Sequence, residues 1–332
     1  MSFHTSSAQT ITRLLTLLMA IAILNDFASP LRTLTAEEIS SRYEAPYPVA
    51  ASKKGLQVEI IDDALELGVK HATFNVNLSQ LILPTPSADA PRWESAGKTY
   101  HFRQGYLARL DDQIRSLSSQ KVLVNLIILV YASGNSNVDE IMLHPQYDPQ
   151  APNRLSAFNI KTDEGRRWLR AIMEFLAERY SRPDERFGRV VGYIIGNEVN
   201  SHWWWSNMGP QTMKGFTDEY VDVIRLSHDA IRRQSSWARV YLSLDHHWNI
   251  RYAAGTANQA FSSKAFIDYF AKAVRERGDF EWHVAFHPYP ENLFEPRFWN
   301  DQTATDDAET DRITFKNLEV LTKYMRRPEL QY

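Results

Sequence analysis

From Gly55 onward the sequence alternates two kinds of apolar segment, and that alternation limits the fold more than any other feature of the chain. One kind is short, nearly continuous and closed by polar residues: residues 71–78 (HATFNVNL), 122–131 (VLVNLIILVY), 190–198 (VVGYIIGNE), 239–246 (RVYLSLDH) and 282–287 (WHVAFH). The other repeats with helical spacing, as in Val58, Ile61 and Leu65, then Leu107, Leu110, Ile114 and Leu117, then Leu169, Ile172 and Leu176. Phe216, Tyr220, Val223 and Ile231 continue the pattern, followed by Phe266, Phe270 and Val274, and by Phe315, Leu318, Leu321 and Met325. Strands apolar on both faces belong to parallel sheets covered by helices. Their alternation with helices implies repeated right-handed βα units.

Such a chain closes into a barrel or winds into an open sheet. The open dinucleotide-binding form needs a glycine-rich turn after its first strand, and none is present. Here polar and aromatic residues follow several different strands: Asn75 and Asn77, Tyr131, Asn197 and Glu198, Asp245 to Trp248, His287 and Tyr289. Barrels build their sites from many strand ends, so the expected fold is α/β, a (β/α)8 TIM-type barrel. Long connections at 79–103, 132–161 and 249–262 are expected to wall that face. A weakly marked strand at 48–52 brings the count to six, and the last helix ends near Arg326. About six of eight βα units are therefore expected, in an open, crescent-like sheet truncated at the C-terminus, with two unpaired edges.

Residues 14–24 are apolar except for Thr16, follow Arg13 and precede Ala28 and Ser29, which is the length of a signal-peptide core. The expected division is a signal peptide at 1–28, a leading segment at 29–54 and the partial barrel at 55–332, in a secreted or periplasmic protein with no membrane span once the signal is removed. A net charge of −3 gives no electrostatic reason for a nucleic-acid partner. The absence of cysteine removes disulfides, thiolate metal sites and a cysteine nucleophile.

The chemistry concentrates at two strand ends. Glu198, preceded by Gly196 and Asn197, ends a buried strand, where a carboxylate faces the barrel mouth as a general acid must. A helix-capping role is the structural alternative. His287 and Tyr289, two apart, point the same way if the strand continues through them. Of the nine tryptophans, Trp203, Trp204 and Trp205 are consecutive and follow Glu198 directly. Flat rings of this kind pack on the C–H faces of sugars, so these three, with Trp248 and Asn77 at other strand ends, are candidate carbohydrate contacts.

The order Asn-Glu on strand four and His-x-Tyr on strand six resembles the large clan of retaining (β/α)8 glycoside hydrolases. More narrowly, the stretches KKGLQV, ELGVKH and GNEVN are similar to the bacterial glycosidase-like family called domain of unknown function 5722, from about Lys53 to Tyr332. The resemblance implies Glu198 as acid/base, Asn197 at the hydroxyl beside the anomeric carbon, His287 on substrate and Tyr289 on the nucleophile. It implies no cofactor and no metal. Three features depart from the clan: Asn75 and Asn77 stand where an arginine is usual, Tyr131 where a histidine is usual, and the strand-seven nucleophile is expected beyond Tyr332. Asp245, Glu291 and Glu295 are the substitutes within the chain. Two other readings stay open. One is a non-catalytic carbohydrate-binding barrel or inactive fragment, and the other a metal-dependent barrel hydrolase using Asp245, His247 and His287, with His246 and His283 nearby.

Overall fold

The computed structural model describes residues 42–332. The expected signal segment and the boundary at residue 28 lie outside the described residues. Six parallel strands form the main sheet: β1 Gly55–Gln57, β2 His71–Asn77, β3 Leu123–Tyr131, β4 Val190–Ile195, β5 Arg239–Leu244 and β6 His283–Phe286. They lie side by side in that order, each hydrogen-bonded to the next, and the sheet curls into an incomplete TIM-type barrel. Among the described residues β1 and β6 do not pair. Helices α1 Ile61–Glu66, α2 Gln104–Ser118, α3 Asp163–Tyr180, α4 Met213–Gln234, α5 Ser263–Glu276 and α6 Leu318–Tyr324 alternate with the strands. No helix among the described residues is long and apolar enough to cross a membrane.

The helix starts are set by side chains that satisfy otherwise orphaned N–H groups. Thr162 accepts from Gly165 N at 3.1 Å to open α3, Thr212 from Gly215 N at 3.1 Å to open α4, and Ser262 from Ala265 N at 3.3 Å to open α5. Each helix turns its apolar stripe to the outside of the sheet, so the main core is a layer between strands and helices, from Val76 and Ile128 to Leu242 and Phe270. A second, smaller cluster fills the concave side: Ile127, Leu129, Leu155 and Ile194, with Tyr131, Trp205, Tyr241 and Ala285 against it. Those on the parallel strands occupy alternate, inward-facing positions, the arrangement that fills barrel interiors, and Leu155 and Trp205 reach in from connections that follow β3 and β4. Gly192 on β4 is needed there, because a Cβ would lie 2.3 Å from Asn125 Oδ1 and 2.7 Å from the Tyr241 ring.

Two expectations about local structure need correction. Residues 48–52 form no strand, since Pro46 and Pro48 remove ladder donors. Instead this stretch belongs to a strap along the start of β5, where Tyr43 N donates to Gln234 O and Arg239 stacks 3.6 Å from the Tyr47 ring centre. The first strand is β1, so Glu198 still follows the fourth strand and His287 the sixth. The connection 79–103 holds an antiparallel sheet whose strands Arg92–Ser95 and Lys98–Phe102 turn at Ala96 and Gly97, both at positive φ (48° and 75°). It packs on α3 through Trp93 and Ser95, which both donate to buried Glu174, and through Phe102 stacked on Phe175 at 4.0 Å. That anchoring makes it a brace on the helix layer.

Candidate active site

β4 stops at Ile195, and the chain turns sharply before Glu198. Gly196 adopts φ 88° and Glu198 φ 40°, ψ 50°, a left-handed backbone that costs a non-glycine residue about 1–3 kcal/mol. Held this way, Glu198 is only 9% exposed, and its backbone N–H donates to Ser243 Oγ on β5 at 3.0 Å. Although it occupies the cap position of the short helical turn that follows, its side chain makes no capping hydrogen bond. The carboxylate instead reaches β6, where Oε1 lies 2.7 Å from His287 Nδ1.

His287 is fixed by its own backbone, whose N–H donates to Leu244 O at 2.8 Å, continuing the β5–β6 ladder past the strand end. The Tyr289 ring stands edge-on to His287 with centres 5.7 Å apart and is 47% exposed. Burial first, and then the charge of Glu198, push the Tyr289 phenol up from its ordinary value, so this hydroxyl remains protonated beside the carboxylate. His246 Nδ1 donates to Tyr289 O at 2.8 Å and fixes that segment against the end of β5. The structure therefore brings Glu198, His287 and Tyr289 together. Asn197 is half-buried beside them.

Beneath this group lies a buried polar brace. Asp245 accepts from Asn200 Nδ2 at 2.8 Å, from Ser201 Oγ at 2.5 Å and from His247 N at 2.9 Å. His247 Nδ1 lies 3.0 Å from the same carboxylate but out of line for a hydrogen bond. Burial opposes ionisation of Asp245, yet His247, Ser201 and Asn200 outweigh it and hold the carboxyl below the usual carboxylate range. The network ties the turn carrying Glu198 to the end of β5. It also engages Asp245 fully, while Glu291 accepts from Thr303 and Gln302 and Glu295 pairs with Arg297. None of the three substitute nucleophiles is directed at Glu198. The proposed metal set is likewise divided: His287 is on Glu198, away from the Asp245–His247 pair, and no group of three ligating side chains occurs among the described residues.

The aromatic wall is a single helical turn, His202–Trp205. All three tryptophans are half-buried. Trp205 packs on the concave apolar cluster, and Trp204 stands edge-on to Tyr252 at 4.7 Å. Two other candidates belong to the framework. Trp248 is 0% exposed, packed edge-on to Tyr324 at 4.8 Å, so it is a core ring and no sugar platform. The Asn77 side chain accepts from Ser79 N at 3.0 Å and caps a short helix.

His202 anchors the wall from below. It stacks between Phe216 and Phe261, with ring centres at 4.7 and 5.1 Å, and burial lowers its pKa from 6.5 to about 4. Between those values the unfolded chain binds a proton that the native chain refuses. Stability is thus complete above pH 6.5 and is lost as pH falls toward 4, by up to about 3 kcal/mol from this residue. Urea midpoints should drop through that window, and His202→Phe should flatten the drop. An unchanged slope in the variant would assign the acid sensitivity to other groups.

A family model described as a family of unknown function, DUF5722, matches residues 46–332. No curated protein matches the chain by sequence. Among solved structures, the chain is similar to endoglucanase Cel5A from the hyperthermophilic Thermotoga maritima, with 13% identity and TM-score 0.41, covering 80% of this chain and 67% of that one. A hyperthermophilic beta-glucosidase from Pyrococcus furiosus gives 12% identity and TM-score 0.45, covering 81% and 64%. A xyloglucanase from Paenibacillus polymyxa gives 11% and 0.42, covering 87% and 67%. The chain spans about two thirds of the length of these structures.

Proposed function

The chain belongs to the family of unknown function DUF5722, and from its strand-end geometry we propose that it is a glycoside hydrolase acting on a poly- or oligosaccharide. The observation that carries this reading is the buried Glu198 carboxylate after β4, faced by His287 and Tyr289 from β6. Glu198 acts as acid/base. It protonates the glycosidic oxygen as the bond to the anomeric carbon breaks, then takes a proton from the water that releases the sugar. Asn197 contacts the neighbouring hydroxyl, and His287 and Tyr289 line the subsite. In a retaining double displacement the partner carboxylate stands about 5–5.5 Å from the acid/base. Asp245, Glu291 and Glu295 are committed elsewhere, so we place the nucleophile outside residues 42–332.

A panel of polysaccharides and aryl glycosides tests the proposal. Release of sugar with the anomeric configuration of the substrate supports it, and release with inversion rejects the retaining mechanism. The same commitment of the three carboxylates favours one second reading, a carbohydrate-binding barrel. That protein would bind members of the panel and hydrolyse none.

Under either reading the tryptophan wall binds sugar. Trp205 sits over the concave cluster, where its ring meets a sugar chain entering above Glu198. Aromatic packing is worth about 0.5–1.5 kcal/mol beyond the area it buries, so Trp205→Ala should weaken oligosaccharide binding roughly tenfold. Calorimetric titration measures this, and wild-type affinity in the variant would remove Trp205 from the site.

A further inference from the structure

Ser243 belongs to β5, between the sugar-facing strand ends, and is 0% exposed. Its hydroxyl has two polar neighbours. Glu198 N donates to it at 3.0 Å, and His287 Nε2 lies 3.4 Å away. A backbone N–H can only donate, so Ser243 Oγ accepts from Glu198 and its own proton is free for His287. The neutral imidazole accepts only at its unprotonated nitrogen. Nε2 is then that nitrogen, Nδ1 carries the ring proton, and Nδ1–H donates to Glu198 Oε1 at 2.7 Å. The three residues form a closed ring of hydrogen bonds in which every donor meets an acceptor. The neighbouring titratable groups are engaged elsewhere: His246 donates to Tyr289 O, and Asp245 is taken by Asn200 and Ser201.

We propose that Ser243 is a positioning residue that selects the Nδ1–H tautomer of His287 and thereby decides which oxygen of Glu198 is free to carry the catalytic proton. The opposite tautomer would set a nitrogen lone pair against the carboxylate and leave the Ser243 hydroxyl proton without an acceptor at His287. With Oε1 held by Nδ1–H, the exchangeable proton of Glu198 belongs on Oε2. Ser243 also receives the N–H of the left-handed Glu198 backbone, so one hydroxyl fixes both the peptide and the side-chain orientation of the acid. The consequence for catalysis rests on the reading of Glu198 as acid/base; the tautomer assignment does not.

Nitrogen-15 NMR of the histidine rings in the 332-residue chain tests it, with His287→Gln identifying the signal. The wild type should show a protonated Nδ1 and an unprotonated Nε2 at neutral pH. A single hydrogen bond of this kind is worth about 0.5–1.5 kcal/mol, so Ser243→Ala should move the tautomer ratio by up to about tenfold toward Nε2–H. Ser243→Thr, which keeps the hydroxyl, should restore the wild-type ratio. A protonated Nε2 in the wild type overturns the proposal whatever the variants do, and so does a wild-type ratio in Ser243→Ala. No substrate enters the measurement. A failure here leaves the role of Glu198 to be judged by its own turnover, and a failure of that role leaves the tautomer result standing.

Discussion

Glu198→Gln is expected to lower the turnover of an unactivated glycoside about 10²–10⁴-fold while leaving the fold intact. The amide matches the carboxylate in size and can still meet His287 Nδ1 with its oxygen, so the hydrogen bond that spans the ends of β4 and β6 survives. What it lacks is a proton to give and a basic site to receive one. The two halves of a retaining reaction should then respond differently. An alkoxide leaving group departs poorly without protonation, whereas an aryl leaving group of low basicity departs without help. Formation of the glycosyl intermediate from an activated aryl glycoside should therefore be nearly unchanged, and its hydrolysis should become slow. Azide, which needs no general base, should restore release as the glycosyl azide with retained configuration. Near-wild-type turnover of a natural substrate in Glu198→Gln would end the assignment. Equal slowing of activated and unactivated substrates would point to a positional role for Glu198.

The fold was legible because its signal is repetitive. Six helical periods and five apolar runs each predicted an element, and the structure has them with ends moved by a few residues. The exception, the first strand, is three exposed residues at Gly55–Gln57, too short and too polar to carry a pattern. At the site, sequence placed Glu198 and His287 at strand ends. The 2.7 Å contact between them depends on the register of β4, β5 and β6, which no local pattern encodes. Asn77 and Trp248 show how little a strand-end position says about a side chain's direction. A strand-end position says that a residue is near the mouth, while the dihedral angles of the next residues decide where it points. Asn77 turns back to cap its own helix, and Trp248 follows the reversal at His246 and His247 into the core. Ser243 was missed although a signal was available. The alternation in β5 places Tyr241 and Ser243 opposite Val240, Leu242 and Leu244, and so on the inner face.

Trp248 supplies the sharpest contrast between core and site, because the same residue type predicts opposite effects a short distance away. Its ring is fully buried, edge-on to Tyr324 at 4.8 Å and near Phe286 at 6.4 Å, and so couples the end of β5 to β6 and to α6. Trp248→Ala removes this packing and leaves a cavity between elements that already lie at one edge of the sheet. Substitutions of this kind cost about 3–5 kcal/mol, a large share of the stability of most domains. Trp248→Phe should behave quite differently. The indole Nε1–H is buried without a hydrogen-bond partner, so the smaller ring loses some contact area but also removes an unsatisfied donor. The two effects oppose each other, and the expected net change is within about 1 kcal/mol. In oligosaccharide titrations, Trp248→Phe should bind as the wild type does, whereas Trp205→Ala binds weakly with little change in unfolding midpoint. A Trp248→Phe protein that kept its stability and lost its affinity would return Trp248 to the site and require the end of β5 to open when sugar binds.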